Sequence, residues 1–248
     1  MAGCGRRSTN RVDAREALPA LARWLEQEQG VAFLWRTTAF GAEPGVLATS
    51  RGDLTAEAIV IAAGHDVDGL HPESAANADL RRCSLHMLRV ALPDGRTIVP
   101  ALATGLALLR YGAFGACPSL PTLRARIERD RPELLAAEVN LLVTQRADGD
   151  LVIGDTHTYA HSPTPFRDER LDDLLLAEVS SLLDGAPLAV RERWHGTYAH
   201  APGREFLVTT PAAGVRAVVV TSGIGMTTAL GLAPSVLSDL FEPSHATP

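Results

Sequence analysis

The apolar positions Leu18, Leu21 and Leu25 recur at helical spacing between Asp13 and Gly30 and predict an amphipathic helix over 13–30. Asp13 can cap its N-terminus, Glu16 sits at the capping-box position and Gly30 can close its end. Pro19 falls inside this pattern, which predicts a separate first turn or a start near Leu18. Strand-like runs follow at 31–40, 45–50 and 56–63, separated by turns containing Gly, Pro and Asp, so a β-meander is expected after the helix. The last run contains AIVIAAG at 58–64, apolar without alternation, as in a strand buried on both faces of an α/β sheet.

From about residue 80 to 198 the texture changes. Strands are predicted at 84–92 and 96–101, joined by Pro93-Asp94-Gly95, with a further strand at 106–114. A helix is predicted at 120–131 and an amphipathic helix at 171–183. Between them, 139–146 and 150–155 form a hairpin across Ala147-Asp148-Gly149. The closing part returns to α/β style, with a buried strand at 217–221, a glycine-rich turn at 222–227 and a helix at 228–241. Pro234 should kink that helix or reset its start. No internal repeat at solenoid periods is visible.

Composition narrows the class of protein. With 248 residues, 46% hydrophobic and 21% charged, the chain can bury one large core or two smaller ones. A formal net charge of -6 argues against a nucleic-acid partner, which calls for a basic stripe. Cys4, Cys83 and Cys117 show neither zinc-site spacing nor the even count of a disulfide framework, and suit a reducing cytoplasm. No apolar run is long enough to cross a bilayer, and the polar start containing Gly3 and Gly5 lacks the apolar stretch of a signal peptide. The expectation is a cytoplasmic protein with no membrane contact.

Two segments carry candidate chemistry. In VVVTSGIGMTTALGLA, at 218–233, a strand runs through a glycine turn into a helix. Gly223 and Gly225 let backbone N–H groups approach a ligand, and the helix directs its positive N-terminal end to the same place, which favours a negative group. For a flavin that group is the N1–C2=O edge of the isoalloxazine, which becomes anionic on reduction. The alternative is a tight β–α connection whose glycines serve only backbone geometry. The second segment, AIVIAAGHD at 58–66, can pass its backbone under a dinucleotide at the carboxyl edge of a parallel sheet, or be a core strand with a glycine exit. A competing reading is a metal-dependent hydrolase using His65, Asp66, Asp155, His157, His161, His195 and His200, although none of them falls in a recognised ligand motif. No Gly-x-Ser-x-Gly elbow is present.

The segments ALPALARWLEQEQGVAFLW, AIVIAAGHD, CSLHMLR, LLRYGAF, LVIGDTHTY, RERWHGTYA and VVVTSGIGMTTALGLA extend from about Arg11 to the C-terminus. Together they resemble the FAD-dependent oxidoreductases of the D-amino-acid oxidase and glycine oxidase superfamily, and within it a bacterial subgroup associated with phosphonate catabolism. The resemblance implies FAD as cofactor, with Gly64 and the loop Gly223, Ile224, Gly225, Met226 and Thr227 in its site. It places Arg110 and Tyr111 near a substrate pocket, where an arginine can pair with a carboxylate or phosphonate; strand alternation would let only one of them reach the ligand. His157 and Tyr198 are the further polar candidates for substrate binding. The implied reaction is oxidation of the C–N bond of a small amine, amino acid or aminophosphonate-type substrate by hydride transfer, which needs positioning and no nucleophile.

Against the family pattern, the chain shows no βαβ unit with Gly-x-Gly-x-x-Gly and no acidic residue following it. The expectation is therefore a chain lacking the front of the FAD domain, with an exposed apolar patch, and a catalytically silent fragment is a further alternative. The predicted fold class is α/β with an α+β substrate domain. Residues 1–80 and 208–248 would form an incomplete Rossmann-like FAD domain, and 81–207 a substrate domain on a mixed or antiparallel sheet.

Overall fold

A computed structural model describes residues 12–93 and 95–241. Cys4, Gly3, Gly5 and the turn residue Asp94 lie outside the described residues. The chain forms a mixed α/β protein of two compact units. One comprises the described part of Met1–Ala32 together with Ser84–Thr158 and Thr164–Gly196; the other comprises Phe33–Cys83, Tyr159–Pro163 and the described part of Thr197–Pro248.

The first unit begins with α1 (Ala14–Glu28), capped by Asp13, whose side chain accepts from the Arg15 N–H at 3.1 Å. Pro19 neither splits this helix nor shifts its start, contrary to expectation: proline removes a single N–H from the ladder, and the cap at Asp13 holds the preceding turn. Gly30 ends the helix at φ +68, with the Val31 N–H returning to the Leu25 carbonyl. Residues 31–38 are not a strand. Arg36 has a left-handed φ of 57, and Phe33 stacks on Trp35 at 5.0 Å in place of ladder pairing.

In the second unit, β1 (Ala39–Glu43), β2 (Val46–Thr49) and β3 (Leu54–Thr55) form an antiparallel meander that differs from the expected one, since 31–38 is not a strand and the run 56–63 joins another sheet. Next come β4 (Ile59–Ile61), a 3-10 turn at Gly64–Gly69 and the short α2 (Pro72–Asn77). The strand β5 (Arg81–Ala91) leads into the middle of the chain. The predicted strand at 96–101 is loop, and pairing resumes only at β6 (Leu102–Ala103). The predicted strand at 106–114 is instead α3 (Gly105–Arg110) followed by a 3-10 turn, with Leu106 and Ala107 buried on one side. Helices α4 (Leu120–Asp130) and α5 (Pro132–Ala136) precede the hairpin of β7 (Leu142–Gln145) and β8 (Leu151–Gly154). Then follow β9 (Thr158–Ala160), α6 (Glu169–Leu182), β10 (Ala189–His200), β11 (Phe206–Ala212), β12 (Val215–Val220) and α7 (Gly225–Phe241). Pro234 lies inside α7 without resetting its start.

A six-stranded sheet has the order β10-β5-β8-β7-β6, with β9 also pairing β5. In the first unit its alternating positions Leu88 and Val90, Leu141 and Val143, and Leu151 and Ile153 bury one core against Leu175 and Val179 of α6. The three-stranded sheet β11-β12-β4 carries the core of the second unit, with Ile59, Ile61, Val215, Ala217 and Val219 packed on Val67, Ala75 and Leu80.

The boundaries differ from the expected ones most at the N-terminal helix, which clusters with the first unit. Asp13 pairs with Arg146 there, and the Arg15 guanidinium binds Glu192 at 2.7 Å and lies 4.9 Å over the Trp194 ring. Among the described residues, no helix is long and apolar enough to cross a membrane.

Candidate functional site

In the second unit, β12 and β4 run parallel, with Val215 opposite Ile59 and Ala217 opposite Ile61. Their carboxyl ends therefore lie at one edge of the sheet, and each ends in a glycine exit. Gly64 follows β4 at φ +60 and Gly223 follows β12 at φ +74, both left-handed conformations in which a side chain is strained. The base of the second turn is pinned. Thr221 Oγ1 donates to the Arg204 carbonyl at 2.7 Å, and the Thr221 N–H donates to the Glu205 carbonyl at 2.9 Å. Four residues after Thr221 α7 begins, and the Thr227 and Thr228 N–H groups already turn back to the Ile224 carbonyl. The N–H groups before them have no intrahelical acceptor and form a positive terminus at the sheet edge.

Tyr198 of β10 stands beside this turn: a Cβ placed on Gly223 would come within 3.2 Å of its ring. Beside the turn opens a cavity of about 510 Å³. Its walls are Val60 and Ala62 from β4 and its exit, Gly64, His65, Tyr198, and the α7 face made by Ala229, Leu232, Ala233 and Val236. That face repeats at i, i+3, i+4 and i+7, so one side of a helix makes one wall. The expectation that β4 is buried on both faces fails here, because Val60 is 42% exposed while Ile59 and Ile61 are buried. Of the residues singled out from the sequence, Gly64 and Tyr198 line this cavity, and so does His65, which had been weighed only as a metal ligand.

In the first unit, three other predicted residues gather around a carboxylate. Arg110 ends α3 and Tyr111 is its C-cap, so the two follow a helix terminus and not strand alternation. Asn140 and Asp155 pair across the end of the β7–β8 hairpin: the Asn140 N–H donates to the Asp155 carbonyl at 2.8 Å, and the reverse bond is 3.0 Å. The Asn140 amide donates to the Tyr111 hydroxyl at 3.3 Å. His157 Nδ1 donates to the Glu138 carbonyl at 2.8 Å, leaving Nε2 3.9 Å from Asp155 Oδ1. Burial pushes the Asp155 carboxyl up to about 6, against the Arg110 charge and the Asn140 hydrogen bond, which act in the opposite direction. The four residues predicted to bind substrate thus divide, Arg110, Tyr111 and His157 in one unit and Tyr198 in the other. Asp155 had been considered only as a metal ligand; the sequence shows the GDTH run but not the burial that alters its chemistry.

Elsewhere in the first unit Asp172, fully buried on the apolar face of α6, accepts from His86 at 2.8 Å, from Arg167, and from Arg193 at 3.0 Å. Beside it, burial lowers the His195 pKa, reinforced by His86 and Arg167. Among the described residues, no group of three or more His, Cys, Asp or Glu side chains is placed to hold a metal ion.

A glycine turn leading from a parallel strand into a helix N-terminus, next to an apolar cavity, belongs to the class of proteins that bind a nucleotide cofactor at the carboxyl edge of an α/β sheet. The chain is a member of the FAD dependent oxidoreductase family DAO, whose profile matches residues 3–236. No curated protein matches it. Among solved structures, it is similar to L-proline dehydrogenase from P. horikoshii at 13% identity and TM-score 0.65, covering 94% of this chain and 57% of that one. It is also similar to NikD, an amino acid oxidase essential for nikkomycin biosynthesis, at 15% identity and TM-score 0.59, covering 96% and 58%. A third is glycine oxidase from Bacillus cereus, at 15% identity and TM-score 0.55, covering 83% and 49%. The chain spans between half and three fifths of the length of these relatives.

The residues present fit the ring end of a flavin. Gly223 keeps its Cα bare where a Cβ would press on Tyr198, and the α7 terminus offers N–H donors and positive potential to an edge that gains negative charge.

Proposed function

We propose that this protein oxidises the C–N bond of a small amine, amino acid or aminophosphonate-type substrate with FAD as the hydride acceptor. The observation that carries this reading is the convergence of the two glycine exits, Gly64 and Gly223, at the carboxyl edge of the parallel pair β4 and β12. Family membership supports FAD, and the amino acid chemistry named for the structural relatives supports an amine substrate. The aminophosphonate class rests on the resemblance of the quoted segments to the phosphonate-associated subgroup.

When bound, FAD supplies the electron acceptor for the reaction. The backbone N–H groups from Gly223 to Met226 would hold the ring edge that becomes negative, and Gly64 would let the β4 exit turn beneath the cofactor. Tyr198 would back the turn and limit how far the ring can shift. Arg110, Tyr111 and His157 would orient the substrate's acidic and polar groups, since hydride transfer depends on alignment more than on a strong base.

The test is the visible absorption spectrum of the purified protein after incubation with excess FAD and removal of free cofactor by gel filtration. A flavin spectrum travelling with the protein is expected. A colourless protein overturns the proposal that these elements hold the cofactor.

A further inference from the structure

Acceptor atoms without donors are concentrated at the end of the β7–β8 hairpin. Asp155 Oδ1 and Asn140 Oδ1 are both buried and have no hydrogen-bond partner among the described residues. They belong to residues whose main chains exchange two hydrogen bonds, so their side chains start from paired positions. Asn140 is oriented by its amide bond to the Tyr111 hydroxyl, which turns its amide oxygen away from that donor. His157, with a side chain 2% exposed, is fixed through Nδ1 by the Glu138 carbonyl. Its Nε2 lies 3.9 Å from Asp155 Oδ1. Asp155 itself keeps 15% of its side chain accessible.

Orphaned buried acceptors call for a donor, and a ligand meeting a carboxylate and an amide oxygen must bring N–H groups and positive charge. A primary ammonium does both. We propose that Asp155, held by its neighbours Asn140, Tyr111 and His157, is the group that recognises the amino group of the substrate. This rests on the amine-oxidising reading above and names the residue that confers the preference for an amine.

The charged and titratable groups facing the carboxylate are Arg110 from α3 and His157 from the segment after β8, with the neutral Tyr111 and Asn140 completing the surround. Because the carboxyl titrates at about 6, the anion that binds an ammonium is present above that pH and disappears below it. Because burial costs this carboxyl more than Arg110 and Asn140 return, removing it need not weaken the fold. A residue kept for structure behaves in the opposite way.

The experiment is calorimetric titration of the whole chain with methylammonium, glycine and aminomethylphosphonate, with acetate as the control lacking an amine, for wild type and Asp155→Asn. Wild type should bind methylammonium saturably, with affinity rising about tenfold from about pH 5 to about pH 7.5 as the carboxyl ionises. Asp155→Asn should lose about tenfold or more in that affinity and all of its pH dependence, while its unfolding midpoint in urea stays at or above that of wild type. Equal binding by the variant, no saturable binding of any amine by wild type, or a fall in unfolding midpoint that accompanies the loss of binding each overturns the inference. FAD retention is measured separately on both proteins. Flavin held without any role for Asp155 in amine binding sinks this inference alone. Asp155-dependent amine binding without flavin sinks the functional reading and leaves the site.

Discussion

Two buried aspartates in the first unit show how surroundings decide what the same side chain does. Asp155 has few compensating donors, and burial raises its pKa from 3.8 to about 6. Its folded-state value lies above the unfolded one, so between those two pH values the native protein holds a proton that the unfolded chain has released. Stability should therefore fall as pH rises through that window, by about 3 kcal/mol at about 1.4 kcal/mol per pKa unit, and stay lower above it. Urea unfolding of wild type and Asp155→Asn across this range checks the sign, because the variant should lack this component. Asp172 is the opposite case. It is entirely buried, yet both oxygens are occupied by His86, Arg167 and Arg193. Replacing it with Asn leaves Arg167, which is also bonded to the Trp194 carbonyl, without a counter-charge in a largely buried setting. The expected loss is about 3 kcal/mol of unfolding free energy, measured in urea. Neither role was legible from the sequence. LDDLLLAEV shows Asp172 on the side of the helix shared with Leu175 and Val179, but its three partners come from positions distant along the chain or from the loop before α6.

At the scale of elements, the pattern of apolar residues located most helices and the hairpin, and failed where local preference was weak or overruled. The stretch 106–114 is rich in Leu and only long enough for one short helix, so its periodicity could not separate helix from strand. The run 31–38 has β-forming residues, but Leu34 and Trp35 are exposed and gain no ladder. β10 went unrecognised because Arg191, Glu192, Arg193 and His195 interrupt any apolar alternation; Glu192 and Arg193 pair with Arg89 and Asp172 on other elements. The β–α turn after β12 was legible because glycine has few substitutes there. The glycine exits of β4 and β12 give a paired prediction. Gly64→Ala meets no atom within 4 Å and bears only the cost of its left-handed backbone, about 1 kcal/mol of stability. Gly223→Ala bears that cost and also presses on Tyr198 at 3.2 Å, so FAD affinity should fall about tenfold or more, beyond any change at Gly64. Fluorescence titration with FAD of the two variants distinguishes them.

For the whole molecule, composition allowed one core or two and only the change in texture near residue 80 suggested a division; the described residues hold two cores, around Leu151 and Ile153 in one unit and Val215 and Val219 in the other. Where the chain passes between units was less visible. It crosses at 32–33, in the loop after α1, and at 83–84, 158–159, 163–164 and 196–197, inside or beside β5, β9 and β10, where a continuous strand gives no compositional break. The candidate chemistry divides in the same way, with the glycine exits, His65 and Tyr198 in one unit and the Asp155 cluster with Arg110 in the other. The central claim, that the protein moves a hydride from a small amine to FAD, is tested most directly by adding glycine, proline and aminomethylphosphonate to the FAD-loaded protein without oxygen and following the flavin absorption. The account predicts that at least one of these bleaches the oxidised flavin band and yields the corresponding oxo product on hydrolysis. An FAD-loaded protein whose band is unchanged by every amine, while dithionite still reduces it, would contradict the account.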